Sequence, residues 1–418
     1  MTEHDYSFVE NNEKMDKEQI RRSLTYWQDV WRRLKKNKLA LVGLIGVIFI
    51  LLFSTVGPLM VNHTYSEQNN KFYNIPPRIK IYHVHDDLYV YLSKMYHLII
   101  VSEDGELLGT MQNRDAIKDN INKVYIYRLF NEENEVIESV TIDYSYKVDP
   151  SKADEGIEYS VIYDGVENKT PYKTVWNKTF LLGTDELGRD ILSRLMYGMG
   201  ISLIIAVIAA IINVLIGVLY GSISGYLGGR ADNIMMRIVD IINSIPLLLY
   251  VILLMVVLKD SWFERKILIE ILHLNGGLGT IIIALISVYW VGMARLVRGQ
   301  NLSLKEQEYV LAAKTMGVSN FRIITKHLIP NTLGPIIVTL TMMIPTAVFT
   351  EAFLSFIGLG ISAPKASLGT LANTGADLMQ KYPYQLIIPS IAIATMMLSF
   401  NFLGDGLRDA LDPRLRKG

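Results

Sequence analysis

The chain has no cysteine. Disulfides, thiol catalysis and iron–sulfur ligation are therefore excluded. Neither sign of charge dominates: 41 Lys plus Arg balance 41 Asp plus Glu. His-Glu-X-X-His, Gly-X-Ser-X-Gly and kinase signatures are missing, so no enzyme motif is legible. A phosphate-binding loop fails on its chemistry. "GTDELGRD", Gly183 to Asp190, has the glycine spacing, but Arg189 and Asp190 stand where such loops carry Lys and then Ser or Thr. Asp185 and Glu186 add charge that would repel a triphosphate.

What the chain has is apolar sequence. Of its 418 residues 50% are hydrophobic, and mean hydropathy is positive. Six uncharged runs come near or exceed the roughly 20 residues that cross a bilayer. They are Leu39 to Leu59, Leu195 to Gly229, Ile241 to Leu258, Leu274 to Ala294, Leu328 to Thr350 and Tyr382 to Gly404. The second leaves room for a Gly-rich turn, and Pro246 should kink the third. Leu39 to Leu59 is too long for the core of a cleavable signal peptide and reads as the first membrane helix. Basic residues cluster before it (Arg21, Arg22, Arg32, Arg33, Lys35, Lys36, Lys38), between Arg295 and Lys326, and in the tail. The positive-inside bias places those segments and both termini in the cytoplasm. The segment between spans one and two is then outside.

That outer segment, Val61 to Phe180, carries 13 basic against 19 acidic residues. It is too long for a structureless loop. Short β-like runs ("IKIYHV", "LYVYL", "HLIIV", "KVYIYRL", "EVIESVTI", "EYSVIY") alternate with turn signals such as Asp104-Gly105 and Asp164-Gly165. A small β-rich or α+β domain is expected. Within it His83 and His85 share a strand face at a spacing that metal sites use, although two His on an exposed strand are more often just polar surface.

The loop between spans four and five reads "EQEYVLAAKTMGVSNFRIITKHLIPN". Leu304 to Met316 has helical composition, with Tyr309, Ala312, Ala313 and Met316 near one face. Gly317 should cap it, Ser319 should start a second helix through Phe321, and Pro330 should lead into the fifth span. Ala312 and Ala313 are small enough for close approach by a partner.

"AAKTMG" followed by "HLIPN" resembles the coupling loop of bacterial ABC importer permeases. Ala312, Ala313, Gly317 and Pro330 fit that pattern, while Leu311, His327 and Ile329 replace its usual Glu, Ile and Leu. "LGTDELGRDILSRLMYG", "EAFLSFIGLGISAP" and "GDGLRDALDPRLR" are similar to the C-type permease of dipeptide, oligopeptide and nickel importers. The resemblance implies an all-α membrane protein of the type I ABC importer permease fold. Its six transmembrane helices would carry the β-rich domain between the first two. The divisions expected are a cytoplasmic segment 1–38, helix 39–60, outer domain 61–180, permease core 181–406 with the coupling loop at about 298–330, and a tail 407–418. "NIPPRI" and "LGTDELGRD" resemble a short connection split by the insertion.

The same resemblance implies no catalytic residue and no cofactor on this chain. ATP and Mg²⁺ belong to two ATPase subunits, contacted through Glu308, Tyr309, Ala312, Ala313, Met316, Gly317, Phe321 and Pro330. A second homologous permease, an extracytoplasmic binding protein, membrane lipid and a peptide substrate complete the partners; nucleic acid is not among them. Nickel, a metal chelate or another small solute is the alternative cargo, and an ion-coupled transporter the distant alternative. Asp185, Arg189, Asp190, Arg194 and Glu351 are candidates for an outer gate or docking site. Asp185 should cap a helix and Asp190 should pair with Arg194. Glu351 lies 20 helical residues beyond Asn331, about 30 Å, so it should sit near the outer interface in a capping role or paired with Arg189 or Arg194.

Overall fold

The computed structural model describes residues 25–111, 116–130, 136–148, 157–259, 261–271, 273–274 and 277–411. Two helices meet at Asn37: α1 (Tyr26–Lys36) ends there and α2 (Lys38–Thr55) begins. The Asn37 side chain accepts from the N–H groups of Leu39 and Ala40 at 3.1 and 3.2 Å, so α2 starts capped. α2 is apolar all round. Ala40, Gly43, Val47 and Ile50 are buried, while Leu39, Val42, Ile45, Phe49 and Leu52 remain exposed. A helix with no polar face needs lipid or protein on every side.

Among its described residues, the segment expected to form an outer domain is β-structure with one four-residue helix, Ser145–Val148. Its first sheet contains β1 (Arg78–His85), β2 (Leu88–Leu92), β3 (Leu98–Val101), β4 (Leu107–Met111) and β10 (Lys173–Trp176). Its second contains β5 (Ile117–Asp119), β6 (Val124–Phe130), β7 (Val136–Asp143), β8 (Ser160–Tyr163) and β9 (Val166–Asn168). Both are antiparallel, in the orders β10-β1-β2-β3-β4 and β5-β6-β7-β8-β9. All six of the β-like runs fall on strands.

β1 to β3 are apolar on both faces because both faces are covered. Ile79, Ile81, Tyr89, Tyr91 and Ile99 pack on Ile75 and Phe180 at the base of the domain. Tyr82, Val84, Val90, Leu92 and Leu98 pack on Tyr125, Tyr127, Val140 and Ile142 of the second sheet. Burial holds the Tyr127 phenol well above its ordinary pKa, so it stays a neutral donor, bonded to the Tyr96 carbonyl.

Beyond the domain, α3 (Ile191–Leu227) is one helix of 37 residues. The expected Gly-rich turn inside the second apolar run is not made by its inner glycines. Gly217, Gly221 and Gly225 instead bring α3 against α6 (Leu278–Leu304). A Cβ on Gly217 would lie 2.8 Å from the Trp290 carbonyl oxygen, and one on Gly225 would lie 2.9 Å from that of Arg298. The chain turns later, at Gly228 and Gly229, both with positive φ.

The third apolar run is broken more sharply than a kink. α4 (Gly229–Ser244) and α5 (Leu247–Leu258) meet at 84° across Pro246. α5 has 12 residues, about 18 Å, which is short for a bilayer on its own. α8 (Ile329–Leu354), the short α9 (Leu368–Asp377) and α10 (Tyr384–Leu411) complete the bundle. Among the described residues five helices are long and apolar enough to cross a membrane, or six with the bent pair counted as one. Their shared core includes Ile50, Leu203, Ile205, Val251, Met255, Ile281, Leu285, Val348 and Met396.

Candidate functional site

The loop after α6 forms a compact helical hairpin. Leu304 closes α6, and the loop helix α7 starts only at Glu308 and runs to Thr315. Gly317, at φ 77°, reverses the chain: its N–H bonds the Lys314 carbonyl and the Val318 N–H bonds the Ala313 carbonyl, both at 3.1 Å. This double bond pattern ends a helix on a left-handed residue, the conformation glycine adopts without steric cost. Ser319 occupies the start of the next helical turn, Asn320–Ile323, with extended backbone, but its side chain makes no capping bond. A π-turn, Ile324–Leu328, then leads through the exposed Pro330 into α8.

The two alanines part company. Ala313 is buried with Val310, Ile323 and Leu328 in the small core that holds the hairpin together, so it cannot meet a partner. Ala312 is exposed, as are Glu308, Tyr309, Met316 and Phe321. Met316 and Phe321 each keep 75% of their surface accessible, beside the half-exposed Leu311. These exposed apolar side chains sit together on an otherwise charged loop. The Tyr226 hydroxyl donates to Asn320 Oδ1 at 2.9 Å, tying the hairpin to α3.

Sequence reasoning missed the ion pair behind this hairpin. Arg298 Nε and Nη2 donate to Asp232 Oδ1 and Oδ2 at 2.6 and 2.5 Å, and Ser224 Oγ donates to Asp232 Oδ1 at 2.5 Å. The fork joins α4, α6 and α3. Its partners lie 66 residues apart, so no local spacing advertises it.

The outer candidates are rearranged. Asp190, not Asp185, caps α3, accepting from Ser193 N–H at 2.9 Å. Asp190 does not pair with Arg194. Asp185 accepts instead from Arg189 Nε at 2.7 Å, and its carboxylate lies 3.5 Å from Arg194 Nε. Arg189, Asp190 and Arg194 are buried, so these side chains fasten a loop rather than face a partner. Asn74 N–H to the Asp185 carbonyl and Thr184 N–H to the Ile75 carbonyl, both 2.9 Å, stitch the two ends of the β-domain together.

Glu351 reaches neither arginine. It is fully buried, accepting from Ser202 Oγ at 2.7 Å and Ser355 Oγ at 2.8 Å. The same Ser202 Oγ accepts from Leu368 N–H at 3.3 Å, so the carboxyl group sits where α3, α8 and α9 converge. Hydroxyls satisfy it in place of the expected counter-ion.

His83 Nε2 lies 2.9 Å from the Asp86 carbonyl oxygen, and His85 Nδ1 lies 3.4 Å from Asp86 Oδ2, with a register shift between the two histidines. They stand beside Tyr89 and Tyr163 respectively. No group of three or more His, Cys, Asp or Glu that could hold a metal occurs among the described residues.

Residues 217–417 match the family model "Binding-protein-dependent transport system inner membrane component", and residues 25–77 match "N-terminal TM domain of oligopeptide transport permease C". The fold and loop are therefore those of a membrane transport permease. The dipeptide transport system permease protein DppC of Bacillus subtilis is 38% identical over 413 residues, covering 98% of this chain and 93% of that protein. Its namesake in Lactococcus lactis is 35% identical, covering 94% and 92%. The oligopeptide transport system permease protein OppC of Bacillus subtilis is 47% identical over 250 residues, covering 60% and 75%. The chain belongs to the family of dipeptide and oligopeptide transport system permeases. It is a multi-pass permease rather than a catalytic enzyme. The 98% coverage means that the alignment also spans the β-domain of this chain.

Proposed function

We propose that this chain forms one half of the pathway of an ATP-driven peptide importer in the bacterial cytoplasmic membrane. The relatives' dipeptide and oligopeptide names supply the substrate class. A second homologous permease contributes the other half, a binding protein delivers the peptide from outside, and two ATPase subunits drive the cycle from the cytoplasm. The six crossings are α2, α3, the bent α4–α5 pair, α6, α8 and α10. Both termini and the hairpin are cytoplasmic, and the β-domain is outside, in keeping with the distribution of basic residues.

The observation that carries this reading is the exposed surface of Tyr309, Leu311, Ala312, Met316 and Phe321 around the Gly317 turn. An ATPase groove would cover it. The hairpin runs without a flexible joint into α8 and is bonded to α3, so a push on it moves two pathway helices together. The chain performs no chemistry; it converts an ATPase movement into alternating access.

The test is coexpression with the neighbouring transport subunits, purification through a tag on this chain, and reconstitution with binding protein. An ATPase subunit should copurify, and a dipeptide with its binding protein should raise ATP hydrolysis. Recovery without an ATPase, or peptide accumulation driven by an ion gradient without ATP, overturns the reading.

A further inference from the structure

α1 presents more than a link to the first span. One side of it is packed: Val30 and Leu34 are buried against Ala410 and Leu411 at the end of α10. Trp27 and Trp31 lie next to that side on the helix, one turn apart, and are 58% and 47% exposed. The Lys35 ammonium lies over the Trp31 ring, 5.0 Å from its centre. Tryptophan in this half-exposed state, beside a cation, fits the boundary between lipid headgroups and acyl chains.

The charges sort themselves in the same way. Asp29 is taken up by Arg32 and Arg33, at 2.8 and 2.9 Å. Lys35, Lys36 and Lys38 are exposed, and among the described residues none of them forms an ion pair. Lys38 is the first residue of α2, whose exposed Leu39 and Val42 follow at once. Asn37 is the only residue between the two helices, so α1 must lie at the depth where the first span enters the membrane.

We propose that α1 is a binding site for anionic phospholipid, with Trp27 and Trp31 seated in the cytoplasmic leaflet and Lys35 and Lys38 against the headgroup. The charge complementarity and the continuity with the exposed stripe of α2 select lipid as the occupant. A protein partner on the same face is the competing outcome. The contact would hold the α1–α10 packing at a fixed depth and make the permease responsive to the charge of the inner leaflet.

The experiment uses the full transporter complex in phosphatidylcholine nanodiscs doped with brominated lipid, which quenches tryptophan fluorescence on contact. Quenching at α1 is the difference between the unaltered chain and a Trp27→Phe/Trp31→Phe variant, which keeps the apolar bulk. Brominated phosphatidylglycerol should reach half-quenching at about a fivefold lower mole fraction than brominated phosphatidylcholine, the effect of about one favourable basic contact. In a Lys35→Gln/Lys38→Gln variant the two lipids should quench alike, and the unchanged quenching by phosphatidylcholine would show that α1 is still seated. Equal quenching by the two lipids in the unaltered chain overturns the proposal. So does the absence of a difference signal, which would mean that protein covers the tryptophans.

Discussion

The Gln385 side-chain amide donates to Asn74 Oδ1 at 2.8 Å, joining the first turn of α10 to the segment that enters the β-domain. Around it the Tyr384 hydroxyl shares its one proton between the Thr184 and Ile75 carbonyls, 2.9 and 3.1 Å away, and Lys94 Nζ donates to the Lys381 carbonyl at 2.7 Å. Both ends of the domain are thus fixed to the last long helix, and the domain should move with it. Gln385→Ala leaves the buried Asn74 short of a partner, at a cost of about 1–3 kcal/mol. Limited proteolysis of the purified complex should then cut between residues 60 and 80 faster than in the unaltered chain, and an unchanged rate would contradict the anchoring.

Gly317 has nothing within 4 Å of where a Cβ would stand, so only its positive φ resists substitution. Left-handed backbone costs an ordinary residue about 1–2 kcal/mol, and Asn less. Uptake should fall in the order Gly, Asn, Ala, Val at this position while membrane levels hold. Full uptake with Gly317→Val would show that the turn does not need its shape.

Arg298 and Asp232 form the ion pair beneath the hairpin. Removing one partner of a buried pair costs about 3–5 kcal/mol, but the Arg298 side chain is 32% exposed, and solvent lowers this to about 1–3. Arg298→Ala should therefore lower the thermal stability of the complex. Adding Asp232→Asn should return part of the loss, because it removes the stranded charge. Strict additivity of the two changes would show that the pair is not coupled.

The β-domain can be excised cleanly, since Ile79 faces Val175 and Lys80 faces Thr174 across β1 and β10. Joining those strands by a two-residue Gly-containing turn removes the rest and its acidic excess. If the domain helps to receive the binding protein, the dissociation constant for that protein should rise and lose much of its salt dependence. An unchanged affinity at low and high salt would leave the domain only a brace for the first span.

Much of this was legible in sequence, for identifiable reasons. The six β-like runs announced themselves because β1 to β3 and their partners are apolar over several residues between turn signals. β5 and β9 are three residues long and mostly polar, so neither pattern nor composition marks them. The Gly317 turn was readable because its bonds are local, from 317 to 314 and from 318 to 313. Which alanine faces outward was not, since 312 and 313 differ by 100° on the helix and only the packing of Ile323 and Leu328 decides between them. Asp185 and Asp190 are equally good caps in sequence, and the choice was made by Arg189 and Arg194 folding back on Asp185. A lone carboxyl in an apolar run, as Glu351 is in sequence, calls for a cap or a cation. Ser202 and Ser355, the hydroxyls that meet it, lie 153 residues apart, so their convergence is not visible along a single stretch.

The central claim is that the exposed face of the hairpin is where an ATPase drives this chain. Ala312→Arg places a charged side chain on that face without touching the Val310, Ala313, Ile323 and Leu328 core. Ala313→Arg forces the same group into the core and should reduce the amount of folded protein instead. The decisive measurement is ATPase copurification and peptide uptake, each divided by the amount of folded chain in the membrane. Ala312→Arg should leave that amount unchanged and abolish both. Normal copurification and uptake with Ala312→Arg would contradict it.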